Sequence, residues 1–426
     1  MKNSKVLKEE LAQGKYSQLL KEIYIDESMI PYQQERYKKA IESYEEIFGE
    51  GDVELYSAPG RSEVGGNHTD HQHGMVLATS INLDALAVVS RNDSNLMRVM
   101  SEGYEMAEVD MTDLKERFEE TGTTIGLIRG VAAALQERGY QVGGFNAYVT
   151  SDVLIGAGLS SSAAFEIIVG TIMSGLFNDM KISPVEIAQA GQFAENVYFG
   201  KPCGLMDQMA CSVGGMIHID FADPESPVVE KVSSDFEKYQ YSLCIVDTMA
   251  SHANLTDDYA QIPAEMKKVA SLFKKDFLRE VTEEEFFGQI SGLRSVFGDR
   301  PVLRAMHFFE EEKRVEGQVA ALQEGRFQDF LDLVKASGDS SFKYLQNIYT
   351  NRDVQNQAMS VALGASEIVL GSHGVSRVHG GGFAGTIQVF VENGFVEEYR
   401  KAIEKIFGRG SCHVLKVRQK GGIKVV

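Results

Sequence analysis

A glycine- and serine-rich stretch at residues 151–164 has the residue types of a phosphate-binding loop. It follows an apolar alternating run at residues 145–149, which predicts a strand, and precedes an apolar run at residues 165–177, which predicts a buried helix. In such an arrangement the glycines let the backbone approach an anion, and the first amide groups of the helix point towards it. The consecutive serines at residues 160–162 add hydroxyl donors or a ligand for Mg²⁺. A helix cap after a tight turn is the simpler alternative, although one serine would suffice for it.

A second polar stretch, residues 60–74, lies between two predicted strands and contains His68, Asp70, His71 and His73. Loops that are held by strands often carry binding groups. Three interpretations compete: a metal site, because imidazole and carboxylate groups are metal ligands; a polyol site, because dense donors and acceptors give specificity; and a solvated connection. The residue types favour the polyol and leave the other two open.

Two carboxylates that follow the glycine- and serine-rich stretch are candidates for catalysis. A capping box with proline at the first helical position starts a helix at Ser183, which we expect to run to about Phe199. Glu195 lies in its last turns, where the helix dipole disfavours a carboxylate, so we expect a cation partner. Asp207 lies among apolar neighbours, where a carboxylate needs a partner or a function. A helix N-cap is the simpler alternative for Asp207.

A glycine-rich stretch at residues 380–385 matches the spacing of the dinucleotide-binding fingerprint. That fingerprint needs a strand before it and a helix after it, whereas here a strand is predicted at residues 386–392. We therefore reject a Rossmann site, and the sequence also lacks a P-loop motif. The stretch is predicted to be a glycine turn that packs closely against a ligand or another loop.

The composition sets limits on the class of protein. A chain of 426 residues exceeds the usual size of a single core, so two domains are expected. A net charge of −19 argues against general binding to nucleic acid or anionic membranes. The polar N-terminus, the absence of any evident apolar run long enough to cross a bilayer, and four scattered cysteines predict a cytoplasmic protein.

Apolar periodicity and turn residues predict the elements that must position these groups. The predicted helices lie in residues 1–50, chiefly 32–48, and at 123–138, 352–370 and 401–407, with a helix-rich region at 263–345. The predicted strands cover 53–58, which a turn at Pro59-Gly60 follows, and then 81–91, 216–221, 241–248 and 412–417, with a hairpin at 93–112. Residues 223–227 are the best candidate for a linker between domains.

Three widely separated stretches, residues 61–74, 156–164 and 380–385, together resemble the GHMP small-molecule kinases, and within them the galactokinases. Gly60-Arg61 and residues 66–71 align with the first signature of the family, and residues 156–164 match its ATP loop in full. Residues 194–195 and 202–208 match the galactokinase segment that carries the catalytic aspartate.

The resemblance implies an α+β fold with a ribosomal-S5-domain-2-like N-terminal domain at residues 1–222 and a ferredoxin-like C-terminal domain at residues 223–426, with the active site between them. It implies ATP as co-substrate and Mg²⁺ as metal. By position it assigns Asp207 and Arg61 to catalysis, Asn67, His68, Asp70, Gly204 and Tyr259 to the sugar, Gly156, Ala157, Gly158, Leu159, Ser160, Ser161 and Ser162 to the nucleotide, and Ser161 with Glu195 to Mg²⁺.

The sequence departs from the family on the sugar side. Asn67 stands where the family usually has a glutamate that faces the 6-position of the sugar, and Glu63 stands where it usually has an asparagine. His71 replaces a tyrosine and Asn196 a histidine, and residues 337–339 lack a histidine that is common there. The ATP loop is intact, so the resemblance predicts the kinase chemistry more firmly than the sugar.

The leading expectation is an ATP-dependent galactokinase that makes galactose 1-phosphate from α-D-galactose. An alternative is a related sugar 1-kinase for N-acetylgalactosamine or galacturonate, which Asn67 motivates. A non-catalytic sensor of sugar and ATP is a third, which the complete serine loop and Asp207 disfavour. The expected partners are ATP and a small sugar, without nucleic acid or membrane, in a monomer or weak homo-oligomer.

Overall fold

The structure is a computed structural model that describes residues 1–154, 158–233, 236–250 and 255–426. Within these ranges the strands form two sheets, and helices pack against both. The strands are β1 (Lys2–Asn3), β2 (Asp52–Gly65), β3 (Met75–Arg91), β4 (Leu96–Ser101), β5 (Ala107–Asp110), β6 (Phe145–Ser151), β7 (Met216–Asp220), β8 (Val228–Val232), β9 (Tyr241–Asp247), β10 (Gly374–Val378), β11 (Thr386–Glu392), β12 (Cys412–Leu415) and β13 (Ile423–Lys424). The helices are α1 (Ser4–Ala12), α2 (Ser17–Tyr24), α3 (Ile30–Phe48), α4 (Thr124–Glu137), α5 (Ser161–Asn178), α6 (Pro184–Phe193), α7 (Met206–Val213), α8 (Thr256–Leu272), α9 (Glu283–Gly288), α10 (Ile290–Phe297), α11 (Asp299–Gln323), α12 (Phe327–Ser340), α13 (Ala358–Leu370) and α14 (Val396–Phe407).

The larger sheet runs in the order β1-β2-β3-β6-β4-β5, with β13 paired to β2, β7 to β3, and β8 to β7. Its centre is the long antiparallel pair of β2 and β3. Helices α5 and α7 pack on this pair, and α4 and α6 pack on α5. The largest apolar core lies between these helices and the sheet. The end of β2 and the starts of α5 and α7 are thereby held against one another.

Helix α5 is the buried helix that the apolar run predicts. By length and composition alone it is able to cross a bilayer, so the expectation that no apolar run is long enough for that is wrong. Inside the protein, however, 61% of this segment is buried. A helix that is apolar on all sides and enclosed by other elements belongs to a core. Helix α5 is the central helix of the largest apolar core.

The smaller sheet is antiparallel in the order β10-β11-β9-β12. Helices α13 and α14 share a second apolar core with it. A third core lies among helices α8 to α11. From α11, Glu311 accepts a hydrogen bond from the Gly66 amide (3.0 Å), and Glu312 accepts one from the Met75 amide (2.7 Å). These two carboxylates fix both ends of the loop that joins β2 to β3.

The N-terminal helices α1 to α3 are fastened to the larger sheet around one buried carboxylate. Asp84 in β3 is fully buried, and its oxygens accept from Arg36 of α3 (2.6 Å) and from Arg418 (3.2 Å). Tyr24 of α2 donates to the same carboxylate (2.9 Å), and so does Ser57. The N-terminal helices, the sheet and the C-terminal segment therefore meet at Asp84.

Most predicted elements are confirmed, and several details differ. β2 does not turn at Pro59-Gly60, because the strand continues to Gly65 with an irregularity in pairing between Pro59 and Arg61. The helix predicted at residues 352–370 begins only at Ala358, the strand predicted at 412–417 ends at Leu415, and the sequence did not predict β13 at all.

The division of the chain at residues 222 and 223 stays a prediction. The predicted linker at residues 223–227 joins β7 and β8, which pair within the larger sheet. The C-terminal strand β13 also returns to that sheet, through β2.

We expect Asp84→Ala to lower the free energy of unfolding by about 3–5 kcal/mol, because Arg36 and Arg418 would remain buried without their shared counter-charge. Thermal and urea denaturation measure this. The matched control is Glu50→Ala, which removes the exposed pair with Lys5 and should change the free energy of unfolding far less. Equal effects of the two substitutions would contradict the anchoring role of Asp84.

Candidate active site

The centre of the site is an ion pair between Arg61 and Asp207, which lie 146 positions apart in the chain. Arg61 lies on β2, and Asp207 lies in the first turn of α7, whose N-cap is Leu205. Asp207 is therefore not the N-cap of its helix. The guanidinium holds the carboxylate with two bonds, Nε to Oδ1 at 2.6 Å and Nη2 to Oδ2 at 2.7 Å. This two-pronged geometry fixes the orientation of the carboxylate.

The surroundings of Asp207 keep it ionised. Burial by itself would raise the pKa of this carboxyl, but the charge and hydrogen bonds of Arg61, with a bond from the Ser160 hydroxyl, lower it to about 2. The Asp207 side chain is nevertheless 31% exposed, whereas that of Arg61 is 6% exposed. A carboxylate that is charged, oriented and open on one side can accept a proton from a bound molecule.

The glycine- and serine-rich loop lies against this ion pair. Gly156 and Ala157 are outside the described residues, so the placement of these two predicted nucleotide-binding residues stays a prediction. The Gly158 carbonyl accepts from Arg61 Nη1, and the Leu159 carbonyl accepts from the Arg61 amide (3.2 Å). Ser160 adopts a left-handed conformation (φ 56°), and α5 starts directly after it. The N-terminus of α5, where an anion is favoured, therefore lies beside Asp207.

Glu195 is the centre of a second polar cluster beside the start of α5. It lies in a π-helical turn at Ala194–Tyr198, which continues α6, and it is 3% exposed. Its Oε1 accepts from Lys201 (2.8 Å) and from the Ser162 hydroxyl (3.2 Å), and its Oε2 accepts from Gln208 (2.9 Å). The expectation of a cation partner for Glu195 is confirmed. The serine in contact with it is Ser162, whereas the predicted metal ligand is Ser161.

A further buried carboxyl, Glu166 of α5, shares the same amide of Gln208 at 2.9 Å. Burial and the nearby charge of Glu195 raise the pKa of Glu166 well above its usual range. Within the described residues, the structure holds no group of three or more His, Cys, Asp or Glu side chains with the arrangement of a metal site. The metal-site interpretation of residues 60–74 is therefore not supported.

Four residues predicted to face the sugar lie around the loop that follows β2. Asp70 is partly buried and so close to Gly204 that a Cβ at position 204 would overlap its carboxylate. The His68 Nε2 bonds to the Gly381 carbonyl (3.0 Å), so this nitrogen carries the proton. Tyr259 of α8 donates to the Gly382 carbonyl (2.8 Å). The structure thus brings Asp70 beside Gly204, and His68 and Tyr259 to one glycine loop.

His68 has a free acceptor. Burial and the nearby His71 lower the pKa of His68 to about 3, so the ring is neutral. With the proton on Nε2, Nδ1 is an acceptor, and it is buried without a hydrogen-bond partner in the described part of the chain. A hydroxyl group of a ligand would satisfy it.

Asn67, the fifth predicted sugar contact, is fully buried. Its Nδ2 donates to Glu63 (3.0 Å) and to the Gly380 carbonyl (2.7 Å). Its Oδ1 accepts from Asn347 (2.8 Å) and from Ser341 (3.2 Å). The direct sugar contact predicted for Asn67 stays a prediction, but every donor and acceptor of this amide already has a protein partner.

The glycine turn at residues 380–385 is confirmed as a turn that packs against another loop, through these carbonyl contacts. Sequence reasoning did not identify Lys201, Gln208, Asn347 or Arg377 as part of the site. The only local signals were that Lys201 follows Glu195 by six positions and that Gln208 follows Asp207. Asn347 and Arg377 have no local signal, because their importance arises from contacts with Asn67 and Glu63, each about 280 positions or more away.

Two family profiles match the chain. The profile of the GHMP kinases N terminal domain matches residues 126–215, which include the nucleotide loop, Glu195 and Asp207. The galactokinase galactose-binding signature matches residues 42–91, which include Arg61 and the loop after β2. Both profiles therefore fall on the elements that form the site.

Whole-chain comparisons agree. The chain is 31% identical over 373 residues to a galactokinase of Streptomyces coelicolor, covering 86% of this chain and 92% of that protein. It is 30% identical over 362 residues to a galactokinase of Glaesserella parasuis serovar 5, covering 84% of this chain and 91% of that protein.

Solved structures share the fold. Lactococcus lactis galactokinase complexed with galactose superposes with a TM-score of 0.76 at 23% identity, covering 90% of this chain and 98% of that one. Methanococcus jannaschii mevalonate kinase superposes with a TM-score of 0.60 at 17% identity, covering 86% and 99%. The predicted α+β fold class and the predicted resemblance are confirmed. The chain belongs to the galactokinase family of the GHMP kinases and is a sugar kinase, a phosphotransferase.

Proposed function

We propose that the protein transfers the γ-phosphoryl group of ATP to the anomeric hydroxyl of α-D-galactose, giving α-D-galactose 1-phosphate and ADP. The observation that carries the proposal is the ionised, partly open Asp207 carboxylate, which Arg61 holds beside the N-terminus of α5. An acceptor, positive charge and an anion-binding helix end are the parts that phosphoryl transfer requires.

In this proposal Asp207 accepts the proton of the anomeric hydroxyl as the new P–O bond forms and the bond to the ADP oxygen breaks. Arg61 holds the carboxylate in place, and its positive charge lies next to the transferring group. The amides at the start of α5, together with Gly156, Ala157, Gly158, Leu159, Ser160, Ser161 and Ser162, surround the phosphates. Leu159 would contribute through its backbone, since its buried side chain belongs to the apolar core.

We also propose that Mg²⁺ binds with the nucleotide, at Glu195 and a serine of the loop. A buried carboxylate beside a hydroxyl supplies the oxygen ligands that Mg²⁺ prefers. The sequence predicts Ser161 as the second ligand, but the hydroxyl at Glu195 is that of Ser162, which is therefore the better candidate. When bound, the metal would neutralise charge on the phosphates.

The sugar would lie between Asp207 and the loop after β2. Asp70 beside Gly204, the unpartnered Nδ1 of the neutral His68, and the phenol oxygen of Tyr259 offer acceptors for hydroxyl groups of the sugar. An N-acetylamino sugar or a uronic acid is the second candidate substrate, because Asn67 places no carboxylate at its position.

We further propose a cytoplasmic protein that acts as a monomer or weak homo-oligomer, without nucleic acid or membrane partners. The net charge of −19 supports the last point. Light scattering after size exclusion, and localisation of the tagged protein, test these statements. A stable large oligomer or a membrane-bound fraction would contradict them.

A panel of sugars tests the substrate. We expect ADP release and formation of a 1-phosphate with α-D-galactose, and little turnover with galacturonate or N-acetylgalactosamine. Coupled ADP assays and phosphorus NMR of the product measure both. Turnover of either derivative with inert galactose would replace the proposed substrate, and binding of galactose and ATP without ADP release would indicate a sensor.

Asp207→Asn should lower kcat by at least about a hundredfold, because an amide cannot accept the proton. The Kd of a non-hydrolysable ATP analogue should stay within about twofold, since the nucleotide contacts are those of the loop. Steady-state turnover assays measure kcat, and isothermal titration calorimetry measures the Kd of the analogue. Glu50→Gln, at an exposed carboxylate, serves as the control, and full turnover in Asp207→Asn would remove this residue from the mechanism.

Glu195→Gln should weaken binding of a divalent metal in the presence of the ATP analogue by about tenfold or more, because a charged ligand becomes neutral. Mn²⁺ electron paramagnetic resonance measures this without turnover. Ser162→Ala should weaken Mn²⁺ binding more than Ser161→Ala. The opposite order would restore Ser161 as the ligand, and unchanged binding in Glu195→Gln would move the metal elsewhere.

A further inference from the structure

The glycine loop at residues 380–382 presents three consecutive backbone carbonyls to the sugar side of the site. The Gly380 carbonyl accepts from Asn67, the Gly381 carbonyl from His68, and the Gly382 carbonyl from Tyr259. Gly380 and Gly382 have positive φ angles of 64° and 84°, a backbone conformation that residues with a side chain rarely adopt. This conformation sets the directions of the successive carbonyls. One short turn therefore orients three predicted sugar-binding side chains.

This turn is held from one side by the Asn67 amide. Nδ2 faces two acceptors, the Glu63 carboxylate and the Gly380 carbonyl, and Oδ1 faces two donors, Asn347 and Ser341. These partners fix which atom is oxygen and which is nitrogen. An amide has two donor hydrogens and two acceptor lone pairs. All four are used, and the side chain is fully buried, so no capacity remains for a sugar hydroxyl.

The four partners of Asn67 come from three separate parts of the chain. Glu63 lies on β2, Ser341 begins the π-helical turn that follows α12, Asn347 lies just beyond that turn, and Gly380 lies in the glycine loop. Asn347 also donates to the Gly381 carbonyl (3.1 Å), so a second amide holds the same turn.

Glu63 is able to serve as a partner because Arg377 neutralises it. Both side chains are buried, and Arg377 Nη2 donates to Glu63 Oε1 at 2.7 Å. Burial raises the pKa of Glu63 to about 7 against the opposing charge of Arg377. Arg377 is the last but one residue of β10, two positions before His379 and three before Gly380, so this ion pair fixes the start of the glycine loop relative to β2.

We propose that Asn67 is a positioning residue that locks the glycine loop at residues 380–382 in place, and that it determines sugar binding through His68 and Tyr259 rather than by touching the sugar. This inference rests on the proposed sugar site. Asn67 then acts on the sugar indirectly, through the glycine loop, and not by the direct contact that the family resemblance predicts. It predicts that the loss on removing Asn67 does not depend on any single hydroxyl group of the sugar.

The test combines Asn67→Ala with the four monodeoxygalactoses that keep the reacting anomeric hydroxyl, namely the 2-, 3-, 4- and 6-deoxy sugars. For galactose, Asn67→Ala should lower kcat/KM by about tenfold or more, mainly through a higher KM for the sugar, with the KM for ATP unchanged. The same factor, within about twofold, should apply to each deoxy sugar that the native protein phosphorylates. A deoxy sugar for which the loss disappears would identify a direct contact of Asn67 with that hydroxyl and overturn the proposal.

Hydrogen exchange provides an arm that needs no substrate. In Asn67→Ala the backbone amides of residues 379–386 should exchange faster than in the native protein, while those of α5 should not change. Ser341→Ala removes one donor to Asn67 and is the milder variant should Asn67→Ala fail to fold. It should accelerate exchange in the same segment and raise the sugar KM by a few fold.

The matched control is Ser366→Ala in α13, which removes a buried hydroxyl bonded to Tyr399 of α14 (2.7 Å). It should leave the exchange of residues 379–386 and the sugar KM unchanged. Unchanged exchange in Ser341→Ala, or equal effects of the two serine variants, would overturn the role of Asn67. Native protein that is inert towards galactose would instead contradict the proposed function, and the exchange measurement would still decide the role of the loop.

Discussion

The two-pronged bond between Arg61 and Asp207 is the interaction on which the rest of the site depends. One arginine joins three elements, because its Nε and Nη2 hold α7 through Asp207, while its Nη1 and backbone amide hold the nucleotide loop at Gly158 and Leu159. A lysine cannot replace it, since a single ammonium group lacks the planar fork that fixes both oxygens of a carboxylate. The pair is buried on the arginine side and open on the aspartate side, so the charge is oriented and yet available.

The same strand organises the sugar side. β2 carries Arg61 towards Asp207, and two positions later it carries Glu63 towards Arg377 and Asn67. Between them Ser62 contacts His379 (3.1 Å) and Gln388 (2.6 Å) at the flanks of the glycine loop. One strand thus sets the distance between the proposed site of phosphoryl transfer and the loop that is proposed to orient the sugar contacts. The long β2–β3 pair gives that strand its rigidity, and Asp84 fastens the pair to both ends of the chain.

The sequence predicts those parts of this arrangement that have local signals. The capping box at Ser183, the helix that ends before Gly139 and the hairpin within residues 93–112 depend on neighbouring residues, and all three are present. The prediction of a turn at Pro59-Gly60 was wrong because the pairing of β2 with β3 is irregular there. Such an irregularity accommodates a proline, whereas a regular central strand does not. β13 is only two residues long and is defined by its pairing with β2, so the sequence has no alternation of apolar and polar residues from which to predict it.

The candidate site divides in the same way. The family resemblance predicts that Arg61 and Asp207 are partners, and the structure pairs them. It also predicts a sugar contact for Asn67, whereas the side-chain partners of Asn67 in the structure are Glu63, Ser341, Asn347 and Gly380. These partners lie up to 313 positions away, and the choice of partner is set by the fold alone.

The placement of charge explains why the motif is a poor guide to the sugar. Residues 60–74 contain two carboxylates, Glu63 and Asp70. Glu63 is buried in an ion pair with Arg377, which neutralises its charge. Asp70, in contrast, lies beside Gly204 at the edge of the site. In the proposed sugar site, with His68 neutral and the Asn67 amide saturated, Asp70 is the carboxylate of this stretch that remains to select among sugars. Under the role proposed for Asn67, selectivity depends on the direction in which the glycine loop holds His68 and Tyr259, and the buried amide network sets that direction.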